Sequence, residues 1–325
     1  MPAGIIRFGS LTARLRYADP QRGEDVARIF GTPLKPPTAA LLAQVAADIT
    51  LAEASRADGS ARPRVPGDGM VLRHGSRRLE IHTEHMSAVL DRNADPARAE
   101  LALLKPYPPH FELCVHLAVV FHKLLFLLDR VVLHAAAVRF GGRVSLLLGD
   151  RGAGKSTIAL RLARAGGTVL GEDHVILKRC GAGFTVSGCD ERSRLDAKTE
   201  GYFFAEPLPV EPADFAGRLK KEMPARALFS SEPYTDERAD LLFFARPGSG
   251  FAITPLSRQT ALLKLMAAAG KLQRFVDFTD RGRFLDMLSD FVRTVTVYDL
   301  ELGPDLGELD RLVRFLQVDE PDPRA

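Results

Sequence analysis

Eight consecutive residues, Gly149, Asp150, Arg151, Gly152, Ala153, Gly154, Lys155 and Ser156, satisfy the pattern G-x-x-x-x-G-K-[ST] at every fixed position. Residues of these types in this order suit the binding of a polyphosphate. The glycines let backbone N–H groups turn inward around phosphate oxygens, and a helix beginning near Lys155 adds its positive N-terminal end. Lys155 would reach the β- and γ-phosphates of ATP, and the Ser156 hydroxyl would bind magnesium. Thr157, the next residue, is grouped with the loop as a nucleotide contact. Glu172 and Asp173 follow 17 and 18 residues after Lys155. Two adjacent carboxylates suit two jobs, one holding a metal while the other orients and deprotonates a hydroxyl.

Other chemistry finds less support. His134 precedes Lys155 by 21 residues and by itself reads as a half-buried strand histidine. His82, His85, His110, His116 and His122 show no H-E-x-x-H or other tight ligand spacing. No G-x-S-x-G elbow is present, which removes the commonest hydrolase reading. The three cysteines, Cys114, Cys180 and Cys189, fit neither a disulfide framework nor a zinc ribbon, and they point to a reducing compartment.

The elements that must position the motif are legible around it. Apolar runs over 131–140 and 144–148 flank Gly141-Gly142 and predict a hairpin or two adjacent strands. A helix over 156–165 follows, with Gly166-Gly167 at its end and a strand over 169–171. In a βαβ unit with a parallel sheet, Glu172 and Asp173 would then lie beside the phosphate loop. Further on, the pattern predicts a surface loop and a buried strand 241–245 within residues 211–250. Helices over 259–269 and 281–293, a strand over 295–302 and a last helix over 305–317 follow, the last with Leu309, Leu312, Val313 and Leu316 on one face.

The first hundred residues read as a small α+β unit. Alternation over 5–17 predicts a strand ended by Asp19-Pro20, and residues 39–54 fit either a helix or a helix leading into a strand. Residues 56–69 have the composition of an exposed loop, and 70–82 read as two short strands around His74-Gly75-Ser76. The apolar stretch 113–128 contains His116, His122 and Lys123 and falls short of the roughly 18 residues of a membrane span, so it predicts a buried helix.

Composition bounds the partners. With 46% hydrophobic and 26% charged residues the 325-residue chain folds, and it has room for two domains, expected at 1–110 and 111–325. The 44 basic residues exceed the 41 acidic ones by only three and form no dense run, so nucleic acid is not an expected partner. No signal-peptide pattern opens the chain, so a cytoplasmic location away from membranes is expected.

The order His134, then 149–156, then Glu172-Asp173-His174-Val175 resembles the catalytic domain of the HPr kinase/phosphorylase family, bacterial serine kinases related to phosphoenolpyruvate carboxykinase. The resemblance covers residues 134–177. It implies an α/β P-loop kinase domain, preceded here by the small α+β domain, and a homo-oligomer. It further implies magnesium–ATP-dependent phosphorylation of a serine, with Asp173 as base, Glu172 and Asp173 with Ser156 on the metal, and His134 close to the γ-phosphate. Glu172 stands where the family has Asp, and the family's E-x-R-G-x-G loop is absent, the nearest acidic segment being 189–195. The chain is more similar to the looser set of HPr-kinase-related proteins that includes serine kinases of peptide-modification clusters and lasso-peptide precursors. The expected activity is transfer of the ATP γ-phosphoryl group to a serine or threonine of a peptide or small protein. The basic residues Arg218, Lys220, Lys221 and Arg226 are expected to meet an acidic acceptor. A small-metabolite kinase and a nucleotide-dependent scaffold without transfer are the alternatives.

Overall fold

The computed structural model describes residues 1–8, 11–29, 34–55, 70–74, 78–83, 85–91, 93–105, 110–189, 192–214, 217–270 and 281–317. The expected loop 56–69, the turn at Gly75-Ser76 and residues 319–325 lie outside them. The chain forms two compact units, one over Met1–Val132 and the other comprising the described residues from Leu133 on.

The first unit is built on a seven-stranded mixed sheet. Its elements are β1 (Ala3–Phe8), β2 (Leu11–Tyr17), α1 (Pro20–Ile29), α2 (Ala39–Leu42), β3 (Val45–Ser55), β4 (Met70–His74), β5 (Arg78–Thr83), β6 (Met86–Asp91), β7 (Ala97–Lys105) and α3 (His110–Leu127), and the chain passes from this unit to the next along β8 (Arg130–Leu133). The strands lie in the order β1-β2-β3-β7-β6-β5-β4, parallel at β2/β3 and β3/β7 and antiparallel elsewhere. Period-2 alternation fills one face with Leu15, Ile49, Ile81, Leu90 and Leu101, all buried. Residues 5–17, which read as one strand, are instead the antiparallel pair β1/β2. Pro20 does not merely end a strand; it opens α1, where its missing N–H costs nothing. Residues 39–54 take the second form considered, a short helix leading into a strand. Helix α3 buries Leu117, Phe121, Leu124 and Leu125, and among the described residues no helix is long and apolar enough to cross a membrane.

The second unit continues with β9 (Ala135–Phe140), β10 (Arg143–Leu148), α4 (Lys155–Arg164), β11 (Thr168–Gly171), β12 (Val175–Cys180), β13 (Gly183–Gly188), β14 (Arg192–Leu195) and α5 (Ala197–Phe203). Then come β15 (Ala213–Asp214), β16 (Leu219–Pro224), β17 (Glu237–Arg238), β18 (Leu241–Pro247), β19 (Ala252–Pro255), α6 (Arg258–Gly270), α7 (Arg281–Thr294), β20 (Thr296–Leu302) and α8 (Leu309–Gln317). The main sheet has the order β11-β9-β10-β18-β20-β19. Its β10/β18 and β18/β20 pairs are parallel and the rest antiparallel.

Helices α4 and α8 cover one face of this sheet, burying Ile158, Leu162, Leu312 and Leu316 against Val138, Leu147, Phe243 and Tyr298. Phe243 stacks on Tyr298 with centroids 5.4 Å apart, and Phe315 meets both edge-on. The expected hairpin is present, closed by Gly141 and Gly142 at φ 58° and 75°, the left-handed pair of a type I′ turn. The βαβ expectation needs correcting, because β11 is not the neighbour of β10. The antiparallel strand β9 lies between them, so β10 and β11 run the same way without touching.

Phe243→Ala should cost about 3–5 kcal/mol, because its ring is wholly buried in the central strand and stacked on a neighbour that cannot close the gap. Chemical denaturation followed by circular dichroism measures it, and a loss below about 1 kcal/mol would contradict the packing described.

Candidate functional site

Strand direction gathers the sequence-designated residues. Gly149 leaves the C-terminal end of β10, Glu172 and Asp173 leave the C-terminal end of β11, and His134 immediately precedes β9, which runs oppositely between the two. All three points therefore fall on one edge of the sheet. His134 also breaks the apolar run 131–140 into β8 and β9, so it sits at a strand opening and not within a strand.

The loop geometry is dictated by its glycines. A Cβ on Gly149 would lie 2.4 Å from the Ala245 carbonyl of β18 and 2.8 Å from the Ala153 Cβ, so no larger residue fits. Gly154, at φ 89°, is the N-cap of α4 and has no side chain to cap with, which leaves the first N–H groups of the helix directed at the loop's interior. Lys155, 8% exposed, donates from Nζ to the carbonyls of Gly149 at 3.0 Å and Asp150 at 3.3 Å. Its ammonium thus lies inside the cradle. Ser156 follows on the first turn of α4, half-buried. The Thr157 hydroxyl hydrogen-bonds Thr199 Oγ1 at 2.9 Å, so its side chain ties α4 to α5 and only its backbone remains to serve a phosphate.

The acidic pair separates into two environments. Glu172 is 6% exposed and accepts a hydrogen bond from the buried Ser193 hydroxyl of β14. Asp173 has φ 60°, a left-handed conformation that Asp tolerates better than most residues, and the His174 N–H closes the turn on the Glu172 carbonyl at 2.6 Å. This turn brings the Asp173 carbonyl within 2.9 Å of His134 Nδ1. A carbonyl only accepts, so Nδ1 carries the proton and Nε2 of the neutral ring keeps its lone pair. Burial, aided by the Lys155 charge, holds the His134 imidazole below its ordinary pKa and hence neutral near pH 7. Burial works to raise Asp173, but His134, His174, Arg194 and Lys220 outweigh it and keep the carboxylate ionised below the usual range. Arg194 Nη1 stands 3.3 Å from Asp173 Oδ2 while its Nε donates to Glu222 at 2.6 Å, and Arg192 meets the other Glu222 oxygen at 2.9 Å.

Ser193, Arg194, Thr199 and Glu222 were not picked out as site residues. The signal for the first two was the period-2 pattern of Arg192-Ser193-Arg194-Leu195, which puts Ser193 and Leu195 inside and both arginines outward. Residues 211–250 also need correcting. Besides the buried strand β18, they contain β15, β16 and β17, and β16 pairs with β14 so that Arg194 faces Glu222. Alternation along β16 divides the expected acceptor-binding cluster. Lys220 influences Asp173, whereas Lys221 points oppositely, donating to Glu200 Oε1 at 2.8 Å and the Leu208 carbonyl at 3.0 Å. Arg226 is exposed on a single 3-10 turn, Ala225–Ala227, beyond the end of β16.

No family model and no curated protein matches the chain. Among solved structures, the Hpr(Ser) kinase/phosphatase from Coxiella burnetii aligns with a TM-score of 0.28 and 10% identity, over 57% of this chain and 91% of that one. That likeness is too slight to establish a shared fold.

Lys221 is accordingly a structural residue. Glu200 also accepts the Leu208 N–H at 2.6 Å, and these hydrogen bonds, first that from Lys221, depress its pKa. A depressed carboxylate contributes stability that is complete above its unfolded value, about 4.3, and is lost as pH falls through the folded value. Lys221→Met should therefore lower unfolding stability by about 1–3 kcal/mol at pH 7, with the difference from wild type shrinking below about pH 4. Urea titrations at both pH values read this, and a deficit that does not depend on pH would refute the pairing.

Proposed function

We propose that the chain is an ATP-dependent phosphotransferase acting on a serine or threonine hydroxyl of a peptide or small protein. The observation that carries this reading is the meeting, at one sheet edge, of the 149–156 loop with an ionised Asp173 one crossover later. Loop N–H groups and Lys155 would hold the β- and γ-phosphates, positioned before reaction and shielded from water on the sheet side. The acceptor oxygen bonds to the γ-phosphorus as the bond from that phosphorus to the β–γ bridging oxygen breaks. The hydroxyl proton passes to Asp173, and the electron pair of the broken bond leaves with ADP. Since Asp173 is a weak base, its main work is to orient the hydroxyl and accept the proton late. His134, neutral and donating to the Asp173 carbonyl, holds that residue in its left-handed turn.

Ser156, Glu172 and Asp173 present hard oxygen donors, which fits magnesium, an ion usually bound by one or two carboxylates together with substrate phosphates. Among the described residues no group of three His, Cys, Asp or Glu side chains forms a metal cage by itself, in keeping with an ion that arrives with its nucleotide. Bound there, magnesium would neutralise charge on the β- and γ-phosphate oxygens. Support for a peptide acceptor comes from the exposed apolar side chains of Leu219 on β16 and Tyr202 on α5, contacts of the kind an extended chain uses. A second reading, nucleotide binding without transfer, draws on Arg194, which faces the Asp173 carboxylate and competes for it.

Lys155→Ala should abolish ATP binding in a fluorescent-analogue titration while leaving the far-ultraviolet circular dichroism unchanged. Asp173→Asn should retain ATP and lose about two to four orders of magnitude in turnover, and Glu172→Gln should raise the magnesium requirement. Turnover is followed by mass spectrometry of candidate seryl peptides, each product gaining a single phosphate. Equal turnover in all three variants would end the kinase reading, and labelling of a free sugar or amino acid with no peptide labelled would end the peptide one. ATP binding that survives in wild type with no acceptor labelled would favour the second reading.

A further inference from the structure

We propose that Arg218 binds the terminal phosphate of a nucleoside triphosphate held in the 149–156 loop, and so lets the site distinguish triphosphate from diphosphate. The inference rests on the nucleotide-binding reading above and deepens it. Arg218 directly precedes β16, and its guanidinium lies over the loop, with Nη1 3.0 Å and Nη2 3.5 Å from the point where a Cβ on Gly152 would project. Gly152 has no such atom and takes φ 86°, so the backbone at the loop's crest and the guanidinium fork are open to each other. Among the described residues no carboxylate pairs with Arg218.

Lys220 and Glu222 lie on one side of β16, just after Arg218, and both act on the site. Lys220 bears on Asp173, and Glu222 anchors Arg194. Leu219 and Lys221 take the opposite side, where Lys221 meets α5. Its closeness to Gly152 makes Arg218 part of the phosphate site and separates it from the acceptor-binding role expected of the basic cluster. Lys155 lies deep in the cradle between the Gly149 and Asp150 carbonyls, whereas Arg218 is exposed and stands beside Gly152. A triphosphate would thus meet two cations at the loop, and an arginine fork matches two phosphate oxygens at once.

The test is calorimetric titration of the full chain with magnesium–ATP and magnesium–ADP, with no acceptor present. Arg218→Ala should weaken ATP about ten- to a hundredfold, the worth of one or two charge-assisted hydrogen bonds, and change ADP by less than about twofold. Arg218→Lys should recover part of the loss, and Arg226→Ala, which removes the same charge from a site away from the loop, should change neither. Unchanged ATP affinity in Arg218→Ala, or equal weakening of ATP and ADP, would overturn the inference. If Lys155→Ala loses ATP while Arg218→Ala keeps it, only this inference fails; if wild type binds neither nucleotide, the nucleotide reading fails with it.

Discussion

Backbone amides can hold a phosphate only where the chain leaves a sheet edge with no side chain in the way. That condition is met at the end of β10. The parallel pairing of β10 with β18 brings the Ala245 carbonyl against Gly149, so the loop must begin with a residue lacking Cβ and must turn away from the sheet at once. The turn delivers Gly154 in a left-handed conformation as the cap of α4, and α4 then packs back on the sheet through Ile158 and Leu162. Loop shape, helix direction and core packing are one constraint seen at three scales.

The same edge concentrates charge. Asp173 lies under the influence of His134, His174, Arg194 and Lys220, while Glu172 is buried and met by a neutral hydroxyl. Two adjacent carboxylates therefore differ in what they can do. Asp173 titrates below the usual range because the charges that surround it in acid more than offset its burial, and near neutral pH it is held in its left-handed turn by a histidine that burial keeps uncharged. The pair Arg194–Glu222 joins β14 to β16 and links the position of Asp173 to a strand that also carries Lys220. A change in how β16 sits would be felt at both the loop and the acid, since packed elements of this kind move as units.

Elements with a strong period were legible beforehand. The hairpin at Gly141-Gly142, α4, α6, α7, β20 and the apolar face of α8 follow from patterns in which nearly every second, third or fourth residue repeats a preference. Helix α1 and the β1/β2 pair were not, because Gly23 argues against a helix that Pro20 nonetheless starts, and an unbroken alternation conceals a turn. From sequence alone, strand β16 looks like loop for a physical reason. Leu219-Lys220-Lys221-Glu222-Met223-Pro224 carries no apolar alternation because both of its faces meet polar partners, Asp173 on one side and Glu200 on the other.

By itself the sequence determined the local chemistry: a glycine-rich loop ending in Lys155 and Ser156, a helix after it, and two carboxylates one crossover away. Such features are encoded by neighbours in the chain, where a few dihedral preferences decide the outcome. Only the tertiary structure decided that β9 would lie between β10 and β11, that His134 would clamp the Asp173 carbonyl, that Lys221 would turn to Glu200, and that Arg218 would come to rest over Gly152. These depend on strand order and on which side of a strand faces which partner. A two-residue period fixes the alternation of side chains but leaves the choice of neighbour to packing between segments distant in sequence.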